Sequence, residues 1–415
     1  MSTDAQRVYN SLFPQYVEIC AVTQYHKRDA KPGGWGGHAT MFVRGAEIDA
    51  DAGYPRLRLA ESGTDPADAD AGVGISVNRI FRNVNWVAIP GREEFFHGGI
   101  GGDRVLNDAL YEAAVRRSAA AGWFAGIAIG DELMRARPAS MPLEEFVVRH
   151  SIGTDFALTF ARSVYCARLP MTREGIGKVV ASLNAANDRA RANGYVWNAY
   201  TNNCSHVLHN ALAAAGIWDP KTARGPGALN VMKDVLSVAR CFVAARMSDF
   251  SFPANSFVRA YEAGNERPID DAGSAFQSRD VVRTLSDGWI STGPGALIVR
   301  YPIRDPSRNE LFMTGRDPFL FSVPLFWDKK EEFARLTRDP HASLTDLGLN
   351  LARWAERYAT ILSRRSADED PRHAADDADQ PGFRAFRERF YVHIAAELDR
   401  TNARIAEFSR LSHSA

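Results

Sequence analysis

Three short apolar runs, each bounded by glycine, proline or charge, constrain this chain more than any other feature. Ala39 to Val43, in "GGHATMFVRG", follows a loop with glycines at 33, 34, 36 and 37. The runs in "GVGISVNRIF" and "NVNWVAIP" come next, with apolar alternation at Ile75 and Val77 and again at Val84 and Trp86. Runs of this length, ending in turn residues, read as strands of one sheet. Helix-spaced segments follow them, so the chain is expected to be α+β.

The helical segments carry their own punctuation. "GGDRVLNDALYEAAVRRSAAAG" and "MPLEEFVVRHSIGTDFALTFARSV" are helical by spacing, on either side of the short apolar "WFAGIAI". In "LPMTREGIGKVVASLNAANDRARAN", Thr172 and Glu174 supply a cap, and Ile176, Val179, Val180 and Leu183 recur at helical spacing. Asn193-Gly194 ends that helix. "GYVWNAYTNN" is aromatic and irregular, whereas "CSHVLHNALAAAG" holds helix formers closed by a glycine. The boundary falls at 202–204, with asparagine as N-cap and Cys204 in the first turn. "GPGALNVMKDVLSVARCFVAARM" predicts a further amphipathic helix. Three regions result: 1–265; a β-rich extension over 266–330, broken by Gly-Pro turns; and a helical C-terminal region, 331–415. Within the last, the acidic, proline-containing stretch near 366–382 is expected to be a disordered linker.

Composition excludes several functions. Of the 415 residues, 45% are hydrophobic and 24% charged, enough for a real core without a disulfide or metal staple. Fifty basic and fifty acidic side chains cancel, and no Lys/Arg-rich run supports nucleic-acid binding. The four cysteines, Cys20, Cys166, Cys204 and Cys241, lie far apart without a CxxC pair, which favours a reducing compartment. "MSTDAQRVYNSLFPQYVEIC" lacks the basic and apolar regions of a secretory signal. The longest apolar stretches fall short of the ~20 residues of a transmembrane helix. The expectation is a soluble, cytoplasmic protein with no cofactor.

One short segment carries chemistry: "TNNCSHVLHN". A cysteine at a helix start has its thiolate favoured by the helix dipole, and a nearby imidazole must accept its proton. Burial as a small core residue is the commoner fate of a cysteine. Here, however, Asn202, Asn203 and Tyr200 precede it, while Val207, Leu208, Leu212 and Ile217 form an apolar face behind it. Cys20, Cys166 and Cys241 lack such polar surroundings and are read as structural. A zinc site of Cys204, His206 and His209 is disfavoured: positions two apart diverge on a helix, and a fourth ligand is missing nearby. His206 and His209 are instead surface or packing residues. The imidazole is expected from His38, at the mouth of its strand after the glycine-rich loop, with His97 in "FFHGGIGG" second.

With those residues in place, the chain resembles the circularly permuted papain-like enzymes of the NlpC/P60 superfamily, which include the lecithin:retinol acyltransferase group. There the histidine strand precedes the cysteine helix, as Gly37-His38 precedes Asn203-Cys204 here. The closest pattern is that of the bacterial branch related to lipoprotein N-acyltransferases. Its helix lead-in is matched by Arg168-Leu169-Pro170-Met171-Thr172-Arg173-Glu174. The resemblance spans roughly residues 15 to 265. It implies an antiparallel sheet packed against the cysteine helix, with Cys204 as nucleophile and His38 as general base and acid. It also implies a polar residue orienting the imidazole, for which Asp49, Asp51 and Asn78 are candidates by position. Cys204 N–H and the Asn203 side chain would form an oxyanion hole. The implied activity is that of a cysteine hydrolase or acyltransferase. It would act on a peptide, isopeptide or lipid acyl substrate through a thioester, with peptide amides slightly favoured. The absence of a signal peptide and of a membrane anchor departs from the periplasmic relatives. The alternative is a non-catalytic binding protein on the same fold, using its C-terminal helices as the contact surface.

Overall fold

The computed structural model describes residues 3–22, 38–61, 65–96, 108–150, 164–198, 202–215, 293–301, 342–363 and 381–414. In chain order these form α1 (Thr3–Leu12), β1 (Tyr16–Val22), β2 (His38–Arg44), β3 (Ala46–Ile48) and β4 (Leu57–Leu59). Next come β5 (Val73–Ser76), β6 (Val87–Pro90), α2 (Arg92–Phe95), α3 (Asp108–Ala120), α4 (Asp131–Arg135) and α5 (Leu143–His150). Then follow β7 (Val164–Pro170), α6 (Arg173–Asn193), α7 (Cys204–Ala214), β8 (Leu297–Tyr301), α8 (Leu347–Ser363) and α9 (Pro381–Ser414). The protein is therefore mixed helix and antiparallel sheet, as the sequence pattern predicts.

Six strands make one sheet in the order β6-β5-β2-β1-β7-β8, antiparallel at every step. The pair β3 and β4 forms a separate two-stranded sheet. Among the described residues, the β-rich extension expected over 266–330 is represented by β8, which joins the main sheet as an outer strand. The predicted helix over 228–247 lies outside the described residues, as do Cys241 and nearly all of the 366–382 stretch. No helix among the described residues is long and apolar enough to cross a membrane.

β1 is buried from Tyr16 to Cys20, so side chains on both faces of the central strand are covered there. Tyr16, Glu18 and Cys20 share one face with Thr40, Phe42 and Arg44 of β2 and with Cys166 and Arg168 of β7. Helices α1 and α2 close this face. Tyr9 meets Tyr16 edge-on at 5.4 Å, and Phe42 lies 6.0 and 5.9 Å from Phe95 and Phe96. Glycine is required at position 74, opposite Phe42, because a Cβ there would stand inside the Phe95 ring. The alternate positions Val17, Ile19, Met41, Val43 and Leu169 are buried as well. Helix α7 packs against both β2 and α6.

The first face also holds buried charge. Glu18 accepts from Arg92 through both carboxylate oxygens, at 2.8 and 3.0 Å, and from Arg168 Nε. Arg44 is buried beside them and donates to the carbonyls of Asp68, Ala71 and Asp65. Two residues further along on the same face, Cys20 and Cys166 are direct register partners and form a disulfide, with Cα atoms 4.0 Å apart. This corrects the reading of these two as separate, reduced cysteines. They stand 146 residues apart in the chain, and only the β1–β7 register brings them together.

Candidate active site at the start of the cysteine helix

Topology decides where Cys204 lies. β7 ends with Pro170 opposite Tyr16, at the end of the sheet where β2 finishes with Arg44. Helix α6 starts at Arg173, directly after its N-cap Thr172, whose hydroxyl accepts the Gly175 N–H at 3.1 Å. Twenty-one residues at 1.5 Å each carry α6 about 30 Å, past the far end of the strands. Its later residues hold the β5–β6 connection there. Asn187 accepts from the N–H groups of Asn85 and Trp86 at 2.7 and 3.0 Å, and donates to the carbonyls of Pro55 and Trp86. Gly194 then breaks the helix with φ +79°, and the Tyr195 N–H donates to the Arg82 carbonyl at 2.6 Å. This is the end of the sheet at which β2 begins with His38, opposite Val22.

The chain turns back at once. Asn198 and Asn202 exchange backbone hydrogen bonds of 2.9 and 3.0 Å, and Asn202 Nδ2 donates to the Val196 carbonyl at 2.7 Å. Asn203 follows as an extended N-cap, and Cys204 is the first residue of α7. The starts of α7 at Cys204 and of β2 at His38, far apart in the chain, therefore occupy one end of the sheet. The side-chain contacts of His38 lie outside the described residues, as does all of His97.

Cys204 carries a half-buried thiol at this helix end, where the N–H groups of the first turn point outward along the axis. Asn203 is buried and its side chain serves the helix. Its Oδ1 accepts the His206 N–H at 3.3 Å and meets His206 Nδ1 at 2.9 Å. A carbonyl oxygen can only accept, so His206 holds its proton on Nδ1. His206 is itself buried, a packing residue tied to the cap. The proposed third-residue positions separate. Asp49 caps a short 3-10 turn after β3 and accepts the Asp51 N–H at 3.2 Å, and Asp51 is exposed. Asn78 instead lies in the connection that leaves β5 at the His38 end, where its Oδ1 accepts the Ile80 N–H at 3.2 Å.

Sequence reasoning missed Tyr195. It is buried, and both burial and the neighbouring Cys204 raise its pKa well above the ordinary phenol value, burial being the larger effect. It lies in the irregular stretch before the helix, which the Asn198–Asn202 bridge folds back toward the cysteine. The nearest signal in the sequence is its place directly after the Asn193-Gly194 helix stop.

Among the described residues, the ligand-type atoms that approach within 4.8 Å of one another belong to Glu18, Cys20 and Cys166. That carboxylate is held by two arginines and those sulfurs are bonded to each other, so the group does not offer a metal-binding set. Comparison with protein-family models, curated proteins and solved structures found no match to this chain.

Proposed function

We propose that the protein is a cysteine-dependent hydrolase or acyltransferase of the permuted papain-like kind, with Cys204 as nucleophile and His38 as base. The observation that carries this reading is the placement of the Cys204 thiol at the start of α7, at the sheet end where β2 opens with His38. The reading takes the thiol and the imidazole that thiol catalysis needs from two distant parts of the chain.

In this mechanism the imidazole takes the thiol proton and the helix end favours the thiolate. Sulfur attacks the carbonyl carbon of an amide or ester, and the carbonyl electron pair moves onto oxygen. Collapse of the tetrahedral species expels the amine or alcohol, protonated by the imidazolium, and leaves a thioester on Cys204. Water or another nucleophile then takes the acyl group and restores the thiol, which distinguishes hydrolysis from transfer. Asn78 is better placed than Asp49 to orient the imidazole, since it shares the His38 end of the sheet. Oδ1 of Asn203 accepts from the helix and meets His206, so the candidate oxyanion donors are the Cys204 N–H and the Asn203 Nδ2 amide.

The test is covalent. An electrophilic acyl probe should label Cys204 selectively, and both Cys204→Ala and His38→Ala should abolish labelling while the far-UV circular dichroism stays unchanged. Labelling that survives in Cys204→Ala, or a wild-type Cys204 that takes no probe, would sink the reading.

A further inference from the structure

The geometry points to Tyr195 as a catalytic residue of this site, its hydroxyl donating to the oxygen that becomes negative when an acyl carbonyl is attacked at Cys204. The inference rests on the reading of Cys204 as nucleophile and adds to it a further oxyanion donor.

Tyr195 is only 4% exposed, and its hydroxyl is buried with no hydrogen-bond partner among the described residues. Buried phenols normally find a partner, because an O–H stripped of water and left unpaired is costly. An orphaned donor in a folded protein therefore invites an acceptor from outside. Three features direct it to the start of α7. The Tyr195 N–H is pinned to Arg82, the Asn198–Asn202 bridge and the Asn202–Val196 hydrogen bond fold this stretch back on the start of the helix, and Cys204 adds to burial in raising the phenol's pKa. The residue also stays in the form that donates, since burial keeps the proton on oxygen at neutral pH.

Of the other side-chain groups at this end, Asn202 Nδ2 is taken by the Val196 carbonyl, and Asn203 Oδ1 is an acceptor that meets His206. A phenolic O–H and the first-turn N–H of α7 would then converge on one oxygen, and two donors are the usual complement of an oxyanion hole. The atoms balance simply. As the sulfur–carbon bond forms, the π pair of the carbonyl moves to oxygen, Tyr195 and the Cys204 N–H hold the resulting charge, and the pair returns when the leaving group departs. Neither donor gives up its proton. The ligand class is thus a carbonyl whose oxygen develops charge in the transition state, as in an ester, a thioester or an amide.

Two reagents separate this role from a structural one. p-Nitrophenyl acetate acylates a thiol through a tetrahedral oxyanion and releases p-nitrophenolate, which needs no proton. Iodoacetamide alkylates the same sulfur by displacement, with no oxyanion. Rates at Cys204 would be followed by mass spectrometry on the full chain, wild type against Tyr195→Phe. The phenylalanine variant keeps the ring and removes an unpartnered hydroxyl, so it should melt no lower than wild type. Its acylation should slow by about 10²-fold, the usual cost of one lost oxyanion donor, while alkylation keeps its wild-type rate. Equal rates of acylation in the two proteins would overturn the assignment. So would equal slowing of both reactions, or a clear fall in melting temperature accompanied by that equal slowing, since either marks a packing role. Failure of the nucleophile reading shows itself differently: wild-type Cys204 is then not acylated at all.

Discussion

Replacing Glu18 with glutamine tests the central claim about how the sheet is held. Glu18 and its partners Arg92 and Arg168 are fully buried, with a bidentate contact to Arg92 at 2.8 and 3.0 Å and a second contact to Arg168. Glutamine keeps the shape and one acceptor but removes the charge. Arg92 would retain the Tyr16 hydroxyl at 3.2 Å and the faces of Phe42 and Phe96 at 4.5 and 5.1 Å. Arg168 would retain Gln6 at 2.8 Å and the Tyr9 and Tyr16 rings. Both would lose the Glu18 charge, and Arg44 adds a third buried cation, its pKa already lowered by burial first and by Arg92 and Arg168 as well. Breaking one partner out of a buried ion pair costs about 3–5 kcal/mol. With one carboxylate serving two arginines, the upper half of that range is expected, against a total stability of roughly 5–15 kcal/mol. The matched control is Glu47→Gln, which removes an exposed pair with Arg58 at 2.7 Å and should cost under about 1 kcal/mol. Urea unfolding of both variants, at one pH and salt concentration, gives the comparison. A Glu18→Gln loss no larger than that of Glu47→Gln would refute the reasoning.

Two further outcomes follow from buried polar groups elsewhere. Asn187→Ala strips partners from the N–H groups of Asn85 and Trp86 and from the carbonyls of Pro55 and Trp86; at about 1–3 kcal/mol for an orphaned buried group, a loss of at least 3 kcal/mol is expected in urea unfolding, and under 1 kcal/mol would contradict it. His393, buried on α9, has its pKa lowered mainly by burial, with Glu397 raising it and Arg400 lowering it. The unfolded chain then binds the proton first, so stability falls as pH drops below the unfolded value of about 6.5. His393→Gln should flatten the dependence of the urea midpoint between about pH 7 and 5, and an unchanged slope would count against it.

Local signals in the sequence were strong where neighbours in the chain decide structure. Thr172 caps α6, Gly194 ends it, and Asn203 caps α7 with Cys204 in its first position, as the residue types and their spacing predict. The apolar runs in "GGHATMFVRG", "GVGISVNRIF" and "NVNWVAIP" hold β2, β5 and β6, although Val77, Val84 and Trp86 of the expected alternation fall outside those strands. The pairing of Cys20 with Cys166 was illegible for a different reason: it belongs to register between distant strands, not to spacing. β7 escaped notice because its polar member, Arg168, is buried against Glu18, so its polarity looks like exposure when read one residue at a time. Tyr195 was hidden in the same way, since its role depends on a two-asparagine bridge that reverses the chain.

The Cys20–Cys166 bond closes the chain into a covalent ring, and the candidate machinery is divided by it. His38 and Asn78 ride inside the ring, whereas Tyr195, Asn203 and Cys204 lie on the tail that leaves it. A protease cutting anywhere between the two bridgeheads would open the ring without releasing a fragment, and the strand bearing His38 would stay tethered to the rest of the sheet. Cleavage after Cys166 has no such insurance. The stretch from 167 to 203 is the one path by which the chain can carry the nucleophile away from its proposed base.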